Sequence, residues 1–188
     1  MQDDELKELK KYVYPNKLAR FFFGGLTVVL LVLCVYFMIF GKDAEMLIIT
    51  IVSGIVMFGL IFAYVSQDYL FAVKKIKVIE KQGNMPVLLY DFKNGGPAFN
   101  DCLRVGGRYL IGKKTGTIVS YDEISRIYQY VHQTYFVEDS RMLKVKTTNG
   151  KTYSLCQLPL NGQANDEVNH VISYILSVNG NVQVGYKK

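Results

Sequence analysis

Two uncharged runs dominate the distribution of apolar and polar positions along the chain. From Phe21 to Gly41, and again from Met46 to Gln67, no Asp, Glu, Lys, Arg or His interrupts the apolar residues. Each run reaches the roughly 20 residues that a helix needs to cross a bilayer's hydrocarbon layer. Helices buried in soluble cores usually keep a polar stripe. The pattern therefore predicts a transmembrane hairpin, with helices over 21–41 and 46–67 joined by a short extracytoplasmic turn over 42–45.

The flanks carry weaker periods. Leu6, Leu9 and Val13 recur at helical spacing among charged residues, and Pro15 stops the pattern. Residues 1–20 thus read as an amphipathic segment suited to a membrane surface. Tyr69, Val73 and Ile76 keep a helical period after the second run, so 68–85 reads as a juxtamembrane stalk. A cleavable leader is the alternative for the first run, but the segment before it is long and holds Asp3, Asp4, Glu5 and Glu8. No small-x-small cleavage pattern follows it, so the run reads as a retained helix.

From Pro86 to the C-terminus the period falls to two. The segments VLLYDF, DCLRV, RYLIGKK, GTIVSY, SRIYQYVHQTYFV, MLKVKTT and KTYSLCQL are rich in Val, Ile, Thr and Tyr and are divided by glycine or Asn-Gly. Such runs predict strands. Asn149-Gly150 predicts a hairpin with a type I′ turn, in which both central residues take positive φ. NDEVNHVISYILSVNG then places Val168, Val171, Ile172, Ile175 and Leu176 on one helical face. Asn165 or Asp166 would cap its start and Asn179-Gly180 would supply a left-handed stop. The expected fold class is α+β: a transmembrane hairpin, then over 86–188 a curled sandwich or barrel of about seven strands plugged by a C-terminal helix.

Charge adds an orientation. Lys7, Lys10, Lys11, Lys17 and Arg20 precede the first run, and Lys74, Lys75, Lys77 and Lys81 follow the second, whereas Lys42 stands alone between them. Basic flanks resist translocation, so both termini are expected in the cytoplasm. This distribution accounts for much of the net charge of +6 without a dense basic face, and nucleic acid is not an expected partner. Neither run holds an ionisable group of the kind transporters need in the membrane, which disfavours transport. Gly59 and Ala63 form a small-xxx-small pair that could bring the two helices together, and Gly54, or Gly24 with Gly25, could serve likewise.

Candidate chemistry is sparse. The stretch GGRYLIGKKTG nearly satisfies the phosphate-loop pattern, with Gly107, Gly112 and Lys113, but Lys114 stands where a hydroxyl should hold magnesium. The residues between the glycines are strand formers, and no helix follows, so the glycines read as turns and no nucleotide is expected. The cysteines Cys34, Cys102 and Cys156 have no framework spacing. The two histidines, His132 and His170, lack metal-ligand spacing, and Glu138-Asp139 reads as a loop. No nucleophile–base pair can be proposed, so neither metal nor cofactor is expected and a binding module is favoured over an enzyme.

Arg108 to Val131, RYLIGKKTGTIVSYDEISRIYQYV, resembles the pleckstrin-homology-like domains of small bacterial membrane proteins in which two transmembrane helices come first. Tyr121, Asp122, Glu123 and Ile124 fall at that family's corner before a long strand, and TNGKTYSL resembles its last hairpin. The likeness covers roughly 86–178, and KNGGPAFND (93–101) departs from it. It implies a plasma-membrane scaffold with no catalytic residue, presenting its domain to a protein partner or a second copy of itself. The tyrosine-rich YQYVHQTYF suits such an interface. Lipid-binding members imply an alternative, in which Lys113, Lys114, Arg104 and Arg108 touch anionic headgroups. The favoured reading of those residues is solvated charges at a turn.

Overall fold

A computed structural model of the chain describes residues 2–15, 17–40, 45–134, 137–159 and 164–185. The helices α1 (Gln2–Val13), α2 (Lys17–Phe40), α3 (Glu45–Lys81) and α4 (Met85–Asn94) come first. They are followed by β1 (Gly96–Ala98), β2 (Leu103–Val105), β3 (Tyr109–Gly112), β4 (Ile118–Ser120) and a 3-10 turn over Tyr121–Glu123. Then come β5 (Ile124–Thr134), β6 (Val137–Thr147), β7 (Thr152–Leu158), α5 (Ala164–Val178) and β8 (Gln183–Val184). The chain divides into two units, Asn16–Leu70 and Met1–Pro15 with Phe71–Lys188.

In Asn16–Leu70 the two long helices pack together. Gly24 of α2 faces the Phe62 ring of α3, and Leu30 faces Gly54. The rings of Phe23 and Phe58 stack with centroids 6.3 Å apart. Rising numbers on one helix meet falling numbers on the other, so the pair is antiparallel. Both helices are long and apolar enough to cross a membrane, over Arg20–Ile39 and Leu47–Lys81, and only 6 % of each apolar window is buried. A soluble core helix would be mostly covered; these present their apolar side chains outward. Of the turn expected over 42–45, residues 42–44 lie outside the described residues and Glu45 opens α3.

The other unit has two four-stranded sheets. The first runs β1-β2-β3-β4, antiparallel throughout, and the second runs β7-β6-β5-β8, with β8 parallel to β5. Between the sheets and α5 lies one core, built from Leu103, Leu110, Ile127, Leu143, Val145 and Leu155 with Val168, Val171 and Ile175 of the helix. A second core covers the other face of the first sheet. There Tyr109, Ile111 and Ile118 meet Leu9 and Val13 of α1, Ala72, Ile76 and Ile79 of α3, and Leu88 and Leu89 of α4. The first sheet is thus buried on both faces, which is why β3 reads as an unbroken apolar run.

Several expectations need correction. VLLYDF is not a strand but most of α4: Met85, Leu88, Leu89 and Phe92 recur at helical spacing and join the second core. Pro86 falls in the first turn, where its missing N–H leaves no bond unmade. A left-handed Gly83 ends α3, with Gly83 N–H donating to Glu80 and Asn84 N–H to Ile79, at 3.0 and 3.1 Å. The Leu9–Val13 face of α1 is buried inside this unit rather than offered to a membrane surface. Glu138-Asp139 belongs to β6, and SRIYQYVHQTYFV is divided between β5 and β6, with Tyr135 and Phe136 outside the described residues.

The hairpin at Asn149-Gly150 is present with a different turn. Gly150 alone of the pair has positive φ, 81°. Gly150 N–H donates to Thr147 at 2.9 Å and Thr147 N–H to Lys151 at 2.8 Å, a tight turn closed by a left-handed glycine. At α5 the helix starts at Ala164, so Asn165 and Asp166 lie in its first turn. Gly180 is not left-handed. The helix end is tied instead by the Asn179 side-chain amide, which donates to the carbonyl of Tyr121 at 2.8 Å.

Candidate functional site

The glycine stretch that resembles a phosphate loop does bind an anion, but the anion is the protein's own. Asp91 on α4 is 4 % exposed. Its Oδ1 accepts from the Gly107 N–H at 3.0 Å, and its Oδ2 from the N–H groups of Arg108 and Tyr109 at 2.8 and 2.9 Å. Successive backbone N–H groups form an anion-binding nest, and here the carboxylate fills it. A Cβ at Gly106 would stand 2.5 Å from Asp91 Cβ and Cγ, so only glycine lets α4 come this close. The Gly106 carbonyl accepts from the Tyr121 hydroxyl at 2.7 Å. Burial pushes the Tyr121 phenol well above its usual range, which keeps it a donor.

The four basic candidates separate into three settings. Arg104 Nε and Lys113 Nζ each lie 3.0 Å from a different oxygen of Asp101. Asp101 ends a run of three left-handed residues, Phe99, Asn100 and Asp101. Such a run costs roughly 1–2 kcal/mol per residue. It is held by buried Phe99, whose N–H donates to Glu167 Oε1, and by the Tyr12 hydroxyl on the Asp101 carbonyl. Burial, reinforced by the Asp101 charge, raises the Tyr12 phenol far above its ordinary value.

Lys114 does something else. The last carbonyls of α1 need donors beyond the helix. Lys114 Nζ reaches that of Lys11 at 2.6 Å, Lys114 N–H that of Tyr12 at 2.9 Å, and Gly116 N–H that of Val13 at 3.1 Å. The hairpin tip therefore caps α1. Arg108 is apart from the others and faces the Asn84 side-chain oxygen at 3.4 Å. In the helix pair, a Cβ on Gly59 would meet open space and Ala63 is exposed, so neither lies at the contact with α2.

Of the tyrosine-rich strand, Tyr128 is buried, and Tyr130 is half-buried with the Lys144 ammonium 3.8 Å above its ring. Val131 and His132 are exposed, as is His170 on α5. Cys156 is buried and its thiol is pushed up to about 12, chiefly by desolvation, so it is a poor nucleophile. Among the described residues no three His, Cys, Asp or Glu side chains converge.

A concavity that sequence reasoning did not anticipate lies where α5 ends. It encloses about 670 Å³ between the 3-10 turn, the start of β5, the 146–148 corner and β8. Asp122, Arg126, Lys146, Asn179, Asn181 and Gln183 give it polar walls. Exposed Val178 is part of the wall, and Val184 stands beside Gln183. The Arg126 guanidinium donates to the Gln183 side chain, and β8 is held by Gly185 N–H on the Ile127 carbonyl at 2.9 Å. Ser125 has its hydroxyl committed to the Lys146 carbonyl at 2.9 Å. The cleft's groups, one carboxylate and two cations among them, can make hydrogen bonds and ion pairs. The cleft comes together from three segments spread over about 60 residues of sequence, so no local motif could have announced it. No family model matches this sequence, and no significant similarity links it to a curated protein or a solved structure.

Proposed function

We propose that this chain is a two-span protein of the bacterial plasma membrane with both termini cytoplasmic. Its sheet unit is a pleckstrin-homology-like module that binds a protein partner and catalyses nothing. The basic flanks of the helix pair support the orientation, and the outward-facing apolar surfaces of α2 and α3 support membrane insertion. Two four-stranded sheets followed by a helix on the core support the module's likeness.

The observation that carries the binding reading is the cleft beside Val178. It joins exposed Val178 to side-chain amides and two cations, the mixed apolar and polar character of a protein-recognition surface. One carboxylate against Arg126 and Lys146 favours a partner segment with an acidic side chain. Headgroup contact through Lys113, Lys114, Arg104 and Arg108 is the weaker reading, because the first three already hold internal partners.

Photo-crosslinking in intact membranes tests this. A crosslinker at position 178 is expected to give one discrete adduct, lost when Arg126→Glu is combined with Lys146→Glu. The same probe at exposed Gln157 on β7, which pairs with Met142 toward the other end of the strand, is expected to give none. An adduct absent at 178, or equally strong at 157, would overturn the assignment.

A further inference from the structure

The polar groups of the helix pair are unevenly satisfied. Thr27 Oγ1 donates to the Phe23 carbonyl at 2.8 Å and Ser53 Oγ to that of Ile49 at 2.9 Å, the usual way a hydroxyl on an apolar helix finds a partner one turn back. Ser66 does not. It is only 9 % exposed, and its Oγ is buried without a hydrogen-bond partner. The Nε of Arg20 is buried and unpartnered as well. Leaving such groups unsatisfied is costly, and these two line the same cleft.

That cleft encloses about 600 Å³ within Asn16–Leu70. Lys17, Arg20, Ser66 and Tyr69 form one end, and Phe21, Gly24, Gly25, Val28 and Phe62 continue it. The Arg20 guanidinium carbon lies over the Tyr69 ring, 3.5 Å from its centroid. Stacking occupies the guanidinium face and leaves its N–H groups to in-plane acceptors, the geometry that suits a phosphate. No carboxylate lines the cleft, so its two cations are not neutralised there. From Arg20 to Val28 the helix rises about 12 Å, close to the depth of one leaflet's hydrocarbon. A Cβ on Gly25 would meet nothing within 4 Å, so the apolar end has room for a chain.

The geometry points to a site for one anionic phospholipid. Its phosphodiester is held by Arg20, Lys17 and the Ser66 hydroxyl, and an acyl chain lies along Phe21, Gly25, Val28 and Phe62. This rests on the membrane-spanning reading of the helix pair. The phosphate accepts from Nε of Arg20 and Oγ of Ser66, giving both buried donors the partner they lack, and its charge offsets the cations. A free phosphate would satisfy the donors and leave the apolar end uncovered.

The test is lipid retention by the purified full-length chain in a zwitterionic detergent, read by native mass spectrometry. The probes are phosphatidylglycerol, phosphatidylcholine and inorganic phosphate. One phosphatidylglycerol is expected to be retained about tenfold more tightly than phosphatidylcholine, with inorganic phosphate a poor competitor. Arg20→Gln with Ser66→Ala should weaken retention by about tenfold or more, as expected for lost charge-assisted bonds. Gly25→Leu should do the same by filling the apolar end, even if the first variant folds poorly, whereas Gly59→Leu, outside the cleft, should not.

Unchanged retention in both Arg20→Gln/Ser66→Ala and Gly25→Leu would overturn the site. Displacement of the lipid by equimolar inorganic phosphate would overturn its assignment to a phospholipid. Carbonate extraction of membranes separates the two levels of the argument. Release of the chain would defeat the membrane reading and this site with it, while a retained chain with unaffected lipid binding would defeat the site alone.

Discussion

The two units treat their buried polar groups in opposite ways. In the sheet unit Asp91, Thr117, Tyr121 and Thr147 are buried and each is hydrogen-bonded. Among the described residues, the buried side-chain atoms without a partner are Arg20 Nε and Ser66 Oγ, both in the helix pair. A sheet packed on both faces has no water inside, so a polar group survives there only if the fold itself supplies its partner. A pair of helices in lipid satisfies its backbone internally and can leave side-chain donors for something outside the chain. The sheet unit is closed with respect to its polar interior, and the helix pair is open.

The contrast is broken most sharply at Asp91. Asp91→Ala leaves three backbone N–H groups without their acceptor in a buried site, and the expected loss is about 3 kcal/mol or more. Asp91→Asn keeps one acceptor oxygen and should lose less. Ser66→Ala removes a hydroxyl that bonds nothing and should cost almost nothing. Chemical unfolding of the full chain in detergent, followed by near-UV dichroism, measures all three. If Asp91→Ala proves as mild as Ser66→Ala, the closed character of the sheet unit is wrong.

Glycine sharpens the same comparison. At Gly106 a methyl group would collide with the backbone-proximal atoms of a carboxylate that three N–H groups hold in place. At Gly24 it would meet the Phe62 ring at 3.0 Å, and that ring is 39 % exposed and able to turn aside. Gly106→Ala should therefore cost roughly 2–3 kcal/mol through forced backbone shifts. Gly24→Ala should stay within about 1 kcal/mol, helped by alanine's better helix propensity. Parallel unfolding curves distinguish them. Equal costs would mean that the Asp91 nest yields as easily as a side chain does.

What the sequence disclosed follows the range of the forces involved. Uncharged runs of membrane length, the period-two strands and the apolar face of α5 are local patterns, and all three are present in the structure. Partners far apart in sequence were not legible. VLLYDF looked like a strand because its helical spacing is completed by Met85 outside it and its cover comes from α1, whose own apolar face invited a membrane instead. The glycines of GGRYLIGKKTG read as turns, but nothing nearby betrays that Asp91, sixteen residues from Gly107, fills their nest. Arg104, Lys113 and Lys114 read as a patch by proximity in sequence, whereas Asp101 and the end of α1 divide them. Small residues do mark the helix-pair contact at Gly24 and Gly54 but not at Gly59 and Ala63, because which of them face the other helix depends on helix rotation, which composition does not encode.

A closed interior also makes an alkaline prediction. Burial raises the phenols of Tyr12, Tyr109, Tyr121 and Tyr153 and lifts the Cys156 thiol to about 12, all in the sheet unit. Each is an acid that holds its proton to higher pH when folded than when unfolded. Its contribution is therefore intact below the unfolded value, which is 9.0 for the thiol and 10.0 for a phenol, and is lost as pH climbs toward the folded one. By linkage Cys156 alone should remove on the order of 1 kcal/mol by about pH 10. The unfolding free energy of the full chain should accordingly fall between about pH 8 and pH 10, with tyrosinate absorbance rising in the same cooperative step as the loss of near-UV dichroism. Cys156→Ala lowers stability at every pH by leaving a small void, but it should flatten this slope, because the unfolded chain no longer has that thiol to ionise. An unaltered slope would show that the thiol reaches water in the folded protein, and the sheet core would then be less sealed than its packing indicates.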